Sequence, residues 1–237
     1  MIHIYVIIYI FVDLRLMKTL LTLKYGTKYS SQDVNRIYAN NFAGQKVCVT
    51  DDSTGLAHDI QIIPLPNNIE GHWLKLWLHS LENLGEILYL DLDVRIQQSI
   101  DSLFTYIDNN PTICYTYWKP SDWPTRHGKD HTFNYLSNYN SSVMLWKSGT
   151  TTHIWNHFLT NDDYFMLKYF GDDRFLWHEQ FTFNIFPKHL IYSFVYGADY
   201  LSDSAKFSYR PAYTLALLNS SDSFPHIFEL YDAFSQC

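Results

Sequence analysis

The sequence has few cysteines, and those that it has are widely spaced. The three are odd in number and include no C-x-x-C pair, which argues against both a disulfide framework and a structural zinc site. A reducing compartment, and therefore a cytoplasmic location, is the simplest expectation. The positions are Cys48, Cys114 and Cys237.

Glycine, proline and basic charge are also scarce. The 237 residues include 9 glycines and 8 prolines, and 47% of them are hydrophobic, which excludes disordered, collagen-like and low-complexity chains. The 17 basic residues are scattered among 24 acidic ones, and the net charge is −7. The sequence therefore lacks the basic patch that a nucleic-acid-binding protein needs. We expect a globular protein with no nucleic-acid partner.

An apolar stretch from Ile4 to Val12 is shorter than the roughly 18 residues that a membrane span needs. Residues 1–16 also show neither a cationic start nor a small-residue cleavage site. We therefore expect no integral membrane span. Residues 1–16 are interpreted as a dispensable apolar extension before a domain that begins at Met17, and a signal anchor is the alternative.

From Met17 onward, short apolar runs alternate with segments of helical period. Strands are predicted at residues 20–23, 47–49, 60–63, 87–90, 113–117, 142–145, 190–194 and 214–218. Helices are predicted after a start at residues 30–33 and at residues 73–81, 152–159 and 173–181. This alternation predicts an α/β domain with a mostly parallel sheet covered on both faces. The long polar and aromatic stretch at 119–139 is the predicted lid.

Two aspartates, Asp91 and Asp93, directly follow the strand predicted at 87–90. On an extended chain they would point to the same side, roughly 6.5–7 Å apart at their Cα atoms. Two such carboxylates can bind one divalent cation and leave positions for phosphate oxygens. Ligands gather at the carboxyl ends of strands in α/β sheets, which favours a binding site here. The alternative is an acidic turn that caps a helix near residues 99–104.

Several segments, taken in order, carry a resemblance to a known family. They are residues 23–30 (LKYGTKYS), 49–56 (VTDDSTGL), 63–66 (IPLP), 88–94 (LYLDLDV) and 139–144 (YNSSVM). Their order resembles small viral and bacterial glycosyltransferases, similar to the retaining glycogenin and lipopolysaccharide galactosyltransferase group. The resemblance covers about residues 17–194. It implies a GT-A fold in a single domain, 17–237, with a Rossmann-like nucleotide half at about 17–95 and an acceptor half at about 96–237.

The resemblance also implies a function. The chain would transfer a hexose from a nucleotide-diphosphate sugar, most readily a UDP-sugar, to a glycan, lipid or protein acceptor, with retention. Asp91 and Asp93 would bind Mn²⁺ or Mg²⁺. The residues implied to contact the donor are Tyr25, Asp52, Lys75, Asn140 and Ser141. Simpler roles also fit three of them, because Tyr25 could be a packed aromatic, Asp52 a turn residue and Lys75 a solvated helix charge.

Residues 171–174 (GDDR) resemble the family's D-Q pair near the reacting sugar. This makes Asp172 and Asp173 the catalytic candidates, although Asp173 stands where the family commonly has glutamine. A carboxylate there could stabilise an oxocarbenium-like centre or trap it covalently. It could equally be a helix N-cap.

The tail departs from the family at the third metal ligand, a histidine after the final strand. Leu218 or Asn219 stands there in this chain, ahead of the segment 224–226 (FPH). The resemblance therefore implies a metal held by two carboxylates, water and donor phosphates, with His226 as a conceivable substitute ligand.

Three alternatives remain open at this point. A sugar-nucleotide-binding relative without turnover fits the departures at Asp173 and in the tail. A haloacid-dehalogenase-type phosphatase also uses D-x-D after a strand, but Arg95 stands where it expects Thr or Val. Histidine pairs at i,i+4 spacing, His127 with His131 and His153 with His157, suggest a zinc site only weakly, because neither is H-E-x-x-H.

Overall fold

The computed structural model describes residues 17–66, 69, 71–122, 136–202, 204–219 and 224–236, and the statements below concern these residues. The N-terminal extension, the pair His127 and His131, and most of the predicted lid lie outside them.

Short strands and helices alternate along this part of the chain. The strands are β1 Lys18–Lys24, β2 Gln45–Thr50, β3 Gln61–Pro64, β4 Glu86–Leu90, β5 Val94–Ile96, β6 Thr112–Tyr115, β7 Tyr139–Lys147, β8 Asn184–Ile185, β9 Ile191–Ser193 and β10 Leu215–Leu217. The α-helices are α1 Ser31–Tyr38, α2 Leu74–Trp77, α3 Thr152–Leu159, α4 Asp162–Lys168, α5 Asp172–His178 and α6 Ile227–Ser235. Further 3₁₀ helices span Gly71–Trp73, Leu78–Ser80 and Ile100–Tyr106.

The main sheet has seven strands in the order β3-β2-β1-β4-β7-β6-β8. β1 pairs in parallel with β2 and β4, β2 with β3, and β6 with β8. β7 is antiparallel to both β4 and β6. The predicted α/β class with a mostly parallel sheet is therefore confirmed.

Successive residues of the central strands point to opposite faces of this sheet, as strand geometry requires. On one face, Leu20 and Leu88 belong to a core with Val34 of α1. On the other face, Leu21 and Ile87 belong to a core that includes residues of α2, α3, α4 and α5. Helices thus cover both faces.

A second sheet holds the end of the chain. Its order is β5-β10-β9, with β10 antiparallel to β5 and parallel to β9. Ala216 and Phe194 pack there against Ile227 and Tyr231 of α6. Because β5 begins directly after Asp93, this sheet brings the tail beside the carboxylate pair.

Each predicted strand is present, and α1 begins as the sequence indicates. Ser30 and Asp33 form a capping box, in which the Ser30 backbone N–H donates to the Asp33 carboxylate at 2.9 Å. The helix predicted at 73–81 is instead four residues of α-helix between two 3₁₀ turns, although Trp73 and Leu76 are buried as its period requires. Tightened turns of this kind are common at helix ends.

The helix-capping alternative for Asp91 and Asp93 is wrong. The 3₁₀ helix at Ile100–Tyr106 is capped by Ser99, whose hydroxyl accepts the backbone N–H of Asp101 at 3.3 Å. The carboxylate pair therefore has no capping role there.

Glu179 ties three helices together at the end of α5. Its carboxylate accepts hydrogen bonds from His157 of α3 at 2.9 Å, Lys168 of α4 at 3.1 Å and the Tyr169 hydroxyl at 2.5 Å. Burial alone would raise the pKa of Glu179, but these three hydrogen bonds outweigh it and hold the pKa below its usual range.

We expect Glu179→Gln to lower the free energy of unfolding at pH 7 by about 2 kcal/mol, because the cluster loses the carboxylate that accepts all three hydrogen bonds. Since the folded pKa is depressed, this contribution is present above the ordinary value of 4.5 and is lost as pH falls through the folded pKa. Urea unfolding at descending pH measures the difference, with exposed Glu82→Gln as control. A difference from wild type that does not shrink at low pH contradicts this account.

Candidate active site

A cleft of about 260 Å³ opens at the carboxyl ends of β1 and β4. These strands are parallel neighbours, so the residues that follow them meet at one edge of the sheet. The lining residues are Leu23, Tyr25, Lys28, Tyr29, His72, Lys75, Tyr89, Asp91, Leu92 and Asp93. Four predicted site residues, Tyr25, Lys75, Asp91 and Asp93, are thereby brought together.

The two aspartates of the D-x-D motif sit in a turn, which corrects the extended geometry predicted from the sequence. The Val94 N–H donates to the carbonyl of Asp91 at 3.1 Å, so the chain changes direction between β4 and β5. The cause is topological, because β4 belongs to the seven-stranded sheet and β5 to the three-stranded one. Both carboxylates line the cleft, and Asp93 is the more buried of the two.

Lys75, on α2, is the centre of a polar network in the cleft. Its ammonium donates to Asp91 Oδ2 at 2.7 Å and to Ser141 Oγ at 3.2 Å. The Tyr89 hydroxyl donates to the other oxygen, Asp91 Oδ1, at 2.5 Å. Burial alone would lower the pKa of Lys75, but the carboxylates of Asp91 and Asp172 outweigh it and raise the pKa. Lys75 is thus a fixed positive charge, not a solvated helix residue.

Asp172 is the first residue of α5 and is 5% exposed. Burial raises the pKa of its carboxyl group, and the nearby Lys75 charge opposes that rise. Among the described residues its Oδ2 has no hydrogen-bond partner. A buried carboxylate oxygen without a partner is costly, so this atom is well suited to accept a hydrogen bond from a ligand.

Three other predicted residues make local backbone contacts. Asp173 lies within the first turn of α5, whose N-cap is Gly171, so the N-cap alternative for Asp173 is wrong. Its Oδ1 accepts the N–H of the next residue at 2.8 Å. Asp52 is exposed and accepts the N–H of Thr54 at 2.9 Å, a turn contact. Asn140 accepts the N–H two residues later at 3.1 Å. None of the three is among the cleft-lining residues.

Burial of Tyr25 in the cleft wall raises the pKa of its phenol. It packs against the core beneath the cleft while also lining the cleft, so the packing role and the binding role are compatible. Ser141 is buried and bonded to Lys75, which makes its contribution indirect in the ligand-free chain.

The tail runs beside Asp93. The Leu218 N–H donates to the Asp93 carbonyl at 3.1 Å. Asn219 follows at φ 51°, and its amide oxygen accepts a hydrogen bond from Ser193 Oγ at 2.6 Å. His226 is the exposed N-cap of α6.

The donor set can be tested against a divalent cation. Asp91 and Asp93 offer carboxylate oxygens, the ligand type that Mg²⁺ and Mn²⁺ prefer. Within the described ranges, no group of three or more His, Cys, Asp or Glu side chains could hold a metal ion. Two carboxylates leave most positions to water and phosphate oxygens, which is how Mg²⁺ commonly binds. The residues therefore fit a cation that binds together with a diphosphate.

The zinc interpretation of His153 and His157 finds no support in the structure. His157 bonds to Glu179, and His153 is exposed on α3 near the ring of Phe181. Among the described residues, neither histidine belongs to a group of three or more His, Cys, Asp or Glu side chains that could hold a metal ion.

Six cleft residues were not predicted as site residues from the sequence, and four of these have polar side chains: Lys28, Tyr29, His72 and Tyr89. Tyr89 could have been predicted from its position. It lies in a buried strand two residues before Asp91, so its hydroxyl can reach the Asp91 carboxylate. Lys28 and Tyr29 lie in a segment that the resemblance used, yet nothing in the pattern separates cleft residues from exposed loop residues there.

No family model and no curated protein matches the sequence. Solved structures do match. Two structures of LgtC, an active-site mutant and the galactosyltransferase in complex with donor and acceptor sugar analogs, are each 12% identical to the chain, with TM-scores of 0.55 and 0.56. Each match covers 91% of this chain and 95% of that one. Apo mouse xyloside xylosyltransferase 1 is 15% identical, with a TM-score of 0.50 over 89% and 99% of the two chains.

These likenesses establish the fold class: the chain has the GT-A fold, as the sequence resemblance implied. The matched structures are of a galactosyltransferase and a xylosyltransferase. None of the helices in the described part of the chain has the length and hydropathy of a membrane span.

Proposed function

We propose that the protein is a glycosyltransferase that moves a hexose from a nucleotide-diphosphate sugar, foremost a UDP-sugar, to a glycan, lipid or protein acceptor, in a metal-dependent reaction that retains anomeric configuration. The observation that carries the proposal is the meeting of Asp91, Asp93 and Lys75 in one cleft of a GT-A sheet, with the buried carboxylate of Asp172 near Lys75. Ligands of α/β folds bind at such carboxyl edges.

Two groups of this chain act on the donor in the proposal. Lys75 holds a fixed positive charge beside the diphosphate, where it stabilises the negative charge that develops as the nucleotide departs. The free Oδ2 of Asp172 accepts a hydrogen bond from a sugar hydroxyl and so orients the ring. The charges of Asp172 and Lys75 interact with each other. In the proposal, one donor molecule therefore reaches Asp172 with its sugar and Lys75 with its diphosphate.

The proposed cation, Mn²⁺ or Mg²⁺, would be held by Asp91 and Asp93 and would neutralise charge on the diphosphate. Lys75 and Tyr89 already fix the orientation of the Asp91 carboxylate. The binding group is thus preorganised, which reduces the cost of ordering it when the donor arrives.

The test is a panel of nucleotide sugars with the purified full chain, with and without Mn²⁺ or Mg²⁺. We expect one nucleotide class to bind, and metal-dependent release of the nucleoside diphosphate to follow. Proton NMR of an early product measures the anomeric configuration, which we expect to be retained. Absence of binding to every nucleotide sugar contradicts the proposal.

A sugar-nucleotide-binding protein without turnover is the second candidate. It is favoured by Asp173, whose carboxylate bonds its own helix backbone and is absent from the cleft lining. Binding of a nucleotide sugar without hydrolysis or transfer would select this candidate. The phosphatase alternative is not carried further, because the fold is of the GT-A type.

Metal binding is expected to depend on the donor, because the protein supplies two carboxylates. We expect negligible Mn²⁺ affinity without nucleotide, and Asn219→His is expected to tighten Mn²⁺ binding at least about tenfold, since even indirect partners of a metal change affinity by that factor. Histidine tolerates the φ of 51° at this position. Calorimetric titration with Mn²⁺ measures the affinity of the wild type without nucleotide and that of Asn219→His. His226→Ala is the control. Tight Mn²⁺ binding by the wild type without nucleotide, unchanged in His226→Ala, would refute the two-ligand site.

A further inference from the structure

We infer that Lys28 binds the diphosphate group of the donor and gives the cleft its preference for nucleoside diphosphates over monophosphates. The inference rests on the proposed function and deepens it, because it names a residue that meets the leaving group from a different loop than the carboxylates. Lys28 lines the cleft from the loop after β1, whereas Asp91 and Asp93 line it from the turn after β4.

The charges of the cleft require a second cationic group. Asp91, Asp93 and Asp172 bring three carboxylates to it or beside it, against the lysines Lys75 and Lys28. Lys75 is bonded to Asp91 at 2.7 Å. A bound diphosphate adds further negative charge, and a divalent cation at the carboxylates compensates only part of it. Lys28 is the other lysine that lines the cleft.

The loop that carries Lys28 is fixed at both ends. Gly26 adopts φ +60°, a conformation that favours glycine, and its N–H donates to the Asp51 carboxylate at 2.8 Å. At the other end the capping box starts α1 at Ser30. Between them the Lys28 ammonium lies 5.0 Å from the centroid of the Tyr29 ring, which itself lines the cleft. The fold therefore holds both ends of the loop that places Lys28 beside Tyr29 in the cleft lining.

The N-terminus of α1 does not replace Lys28 as the anion-binding group. Asp33 in its first turn accepts the N–H and the hydroxyl of Ser30, at 2.9 and 2.8 Å. Its negative charge already offsets the positive end of the helix dipole. Within this loop and helix start, Lys28 is the group that lines the cleft and carries positive charge.

Calorimetric titration of UDP, UMP and uridine into the full chain with Mg²⁺ tests the inference, with the guanosine series in parallel. We expect Lys28→Gln to weaken diphosphate binding by about tenfold to 100-fold, as loss of a charge-assisted hydrogen bond does, and to leave the nucleoside affinity unchanged. The diphosphate-over-monophosphate preference should fall with it. Lys28→Arg should restore binding, because arginine also recognises phosphate.

Lys18→Gln is the matched control. Its ammonium lies 5.1 Å from the centroid of the Phe104 ring, but Lys18 begins β1 and so belongs to the opposite edge of the sheet. If Lys28→Gln binds UDP and GDP like the wild type, or loses nucleoside and diphosphate affinity equally, the assignment of Lys28 fails while the proposed function stands. A wild type that binds none of the probes overturns both.

Discussion

Transfer by an Asp91→Asn variant is expected to fall at least about 100-fold, and metal-dependent donor binding is expected to disappear with it. One carboxylate performs two tasks: it anchors the Lys75 ammonium at 2.7 Å, and with Asp93 it is proposed to hold the cation. The asparagine amide is uncharged, so it serves neither task and leaves the partly buried Lys75 without the carboxylate that it bonds. The fold should survive, because Asp91 follows β4 in a turn outside the core clusters.

Asp59→Asn is the matched control for this variant. Asp59 forms an ion pair of the same 2.7 Å length with Lys46, but it is exposed and is not a cleft-lining residue. We expect near wild-type transfer and binding from it, since exposed ion pairs contribute little. Steady-state transfer and calorimetric donor titrations, with and without Mn²⁺, compare it with Asp91→Asn and Asp93→Asn. Wild-type donor binding by Asp91→Asn would remove the basis of the metal assignment.

The main sheet and the location of its cleft could be predicted because their signals are local. An apolar run of four or five residues followed by turn residues is read from a short window, as in 87–90 before Asp91. Local signals also place Tyr25 and Asp91 each at the end of a strand. Their meeting in one cleft depends on the parallel pairing of β1 with β4, which is distant in sequence and was implied by the family resemblance.

The turn at the carboxylates could not be predicted, because its cause is distant in sequence. β5 has three residues and exists through its pairing with β10, more than a hundred residues later. Helix α4 was missed for a different reason. Tyr164, Met166 and Leu167 are exposed there while Phe165 is buried, so apolar residues do not mark one face. The location of Asp173 outside the cleft lining likewise depends on how α5 docks, which no short motif encodes.

A buried histidine is expected to make the protein markedly less stable as pH falls below 6.5. His79 is fully buried, and burial lowers the pKa of its imidazole from 6.5 to about 3, with His153 on α3 adding a smaller effect of the same sign. Its Nδ1 bonds to Thr151 Oγ1 at 3.0 Å. Its Nε2 is buried without a hydrogen-bond partner in the described structure, so a proton added there would have no acceptor.

The sign of the effect follows from which state takes up the proton first. The unfolded chain protonates its histidine near pH 6.5, whereas folded His79 remains neutral until about pH 3, so stability falls with pH throughout that interval. The ceiling is roughly 5 kcal/mol, of which about 2 kcal/mol is lost by pH 5. His79→Leu keeps an apolar side chain near the Trp146 ring, which lies 4.9 Å away, and removes the titrating group.

We therefore expect His79→Leu to flatten the pH dependence of the unfolding free energy between pH 6.5 and 4.5. The slope should decrease by nearly the value for uptake of one proton, about 1.4 kcal/mol per pH unit. Other groups titrate in this range too, so the comparison is between slopes and not between absolute stabilities. Urea unfolding at half-unit pH steps measures them. The exposed histidine variant His58→Leu should keep the wild-type slope. A His79→Leu slope equal to that of the wild type would mean that the imidazole is protonated within the fold, and hence that its Nε2 has gained a partner or access to water.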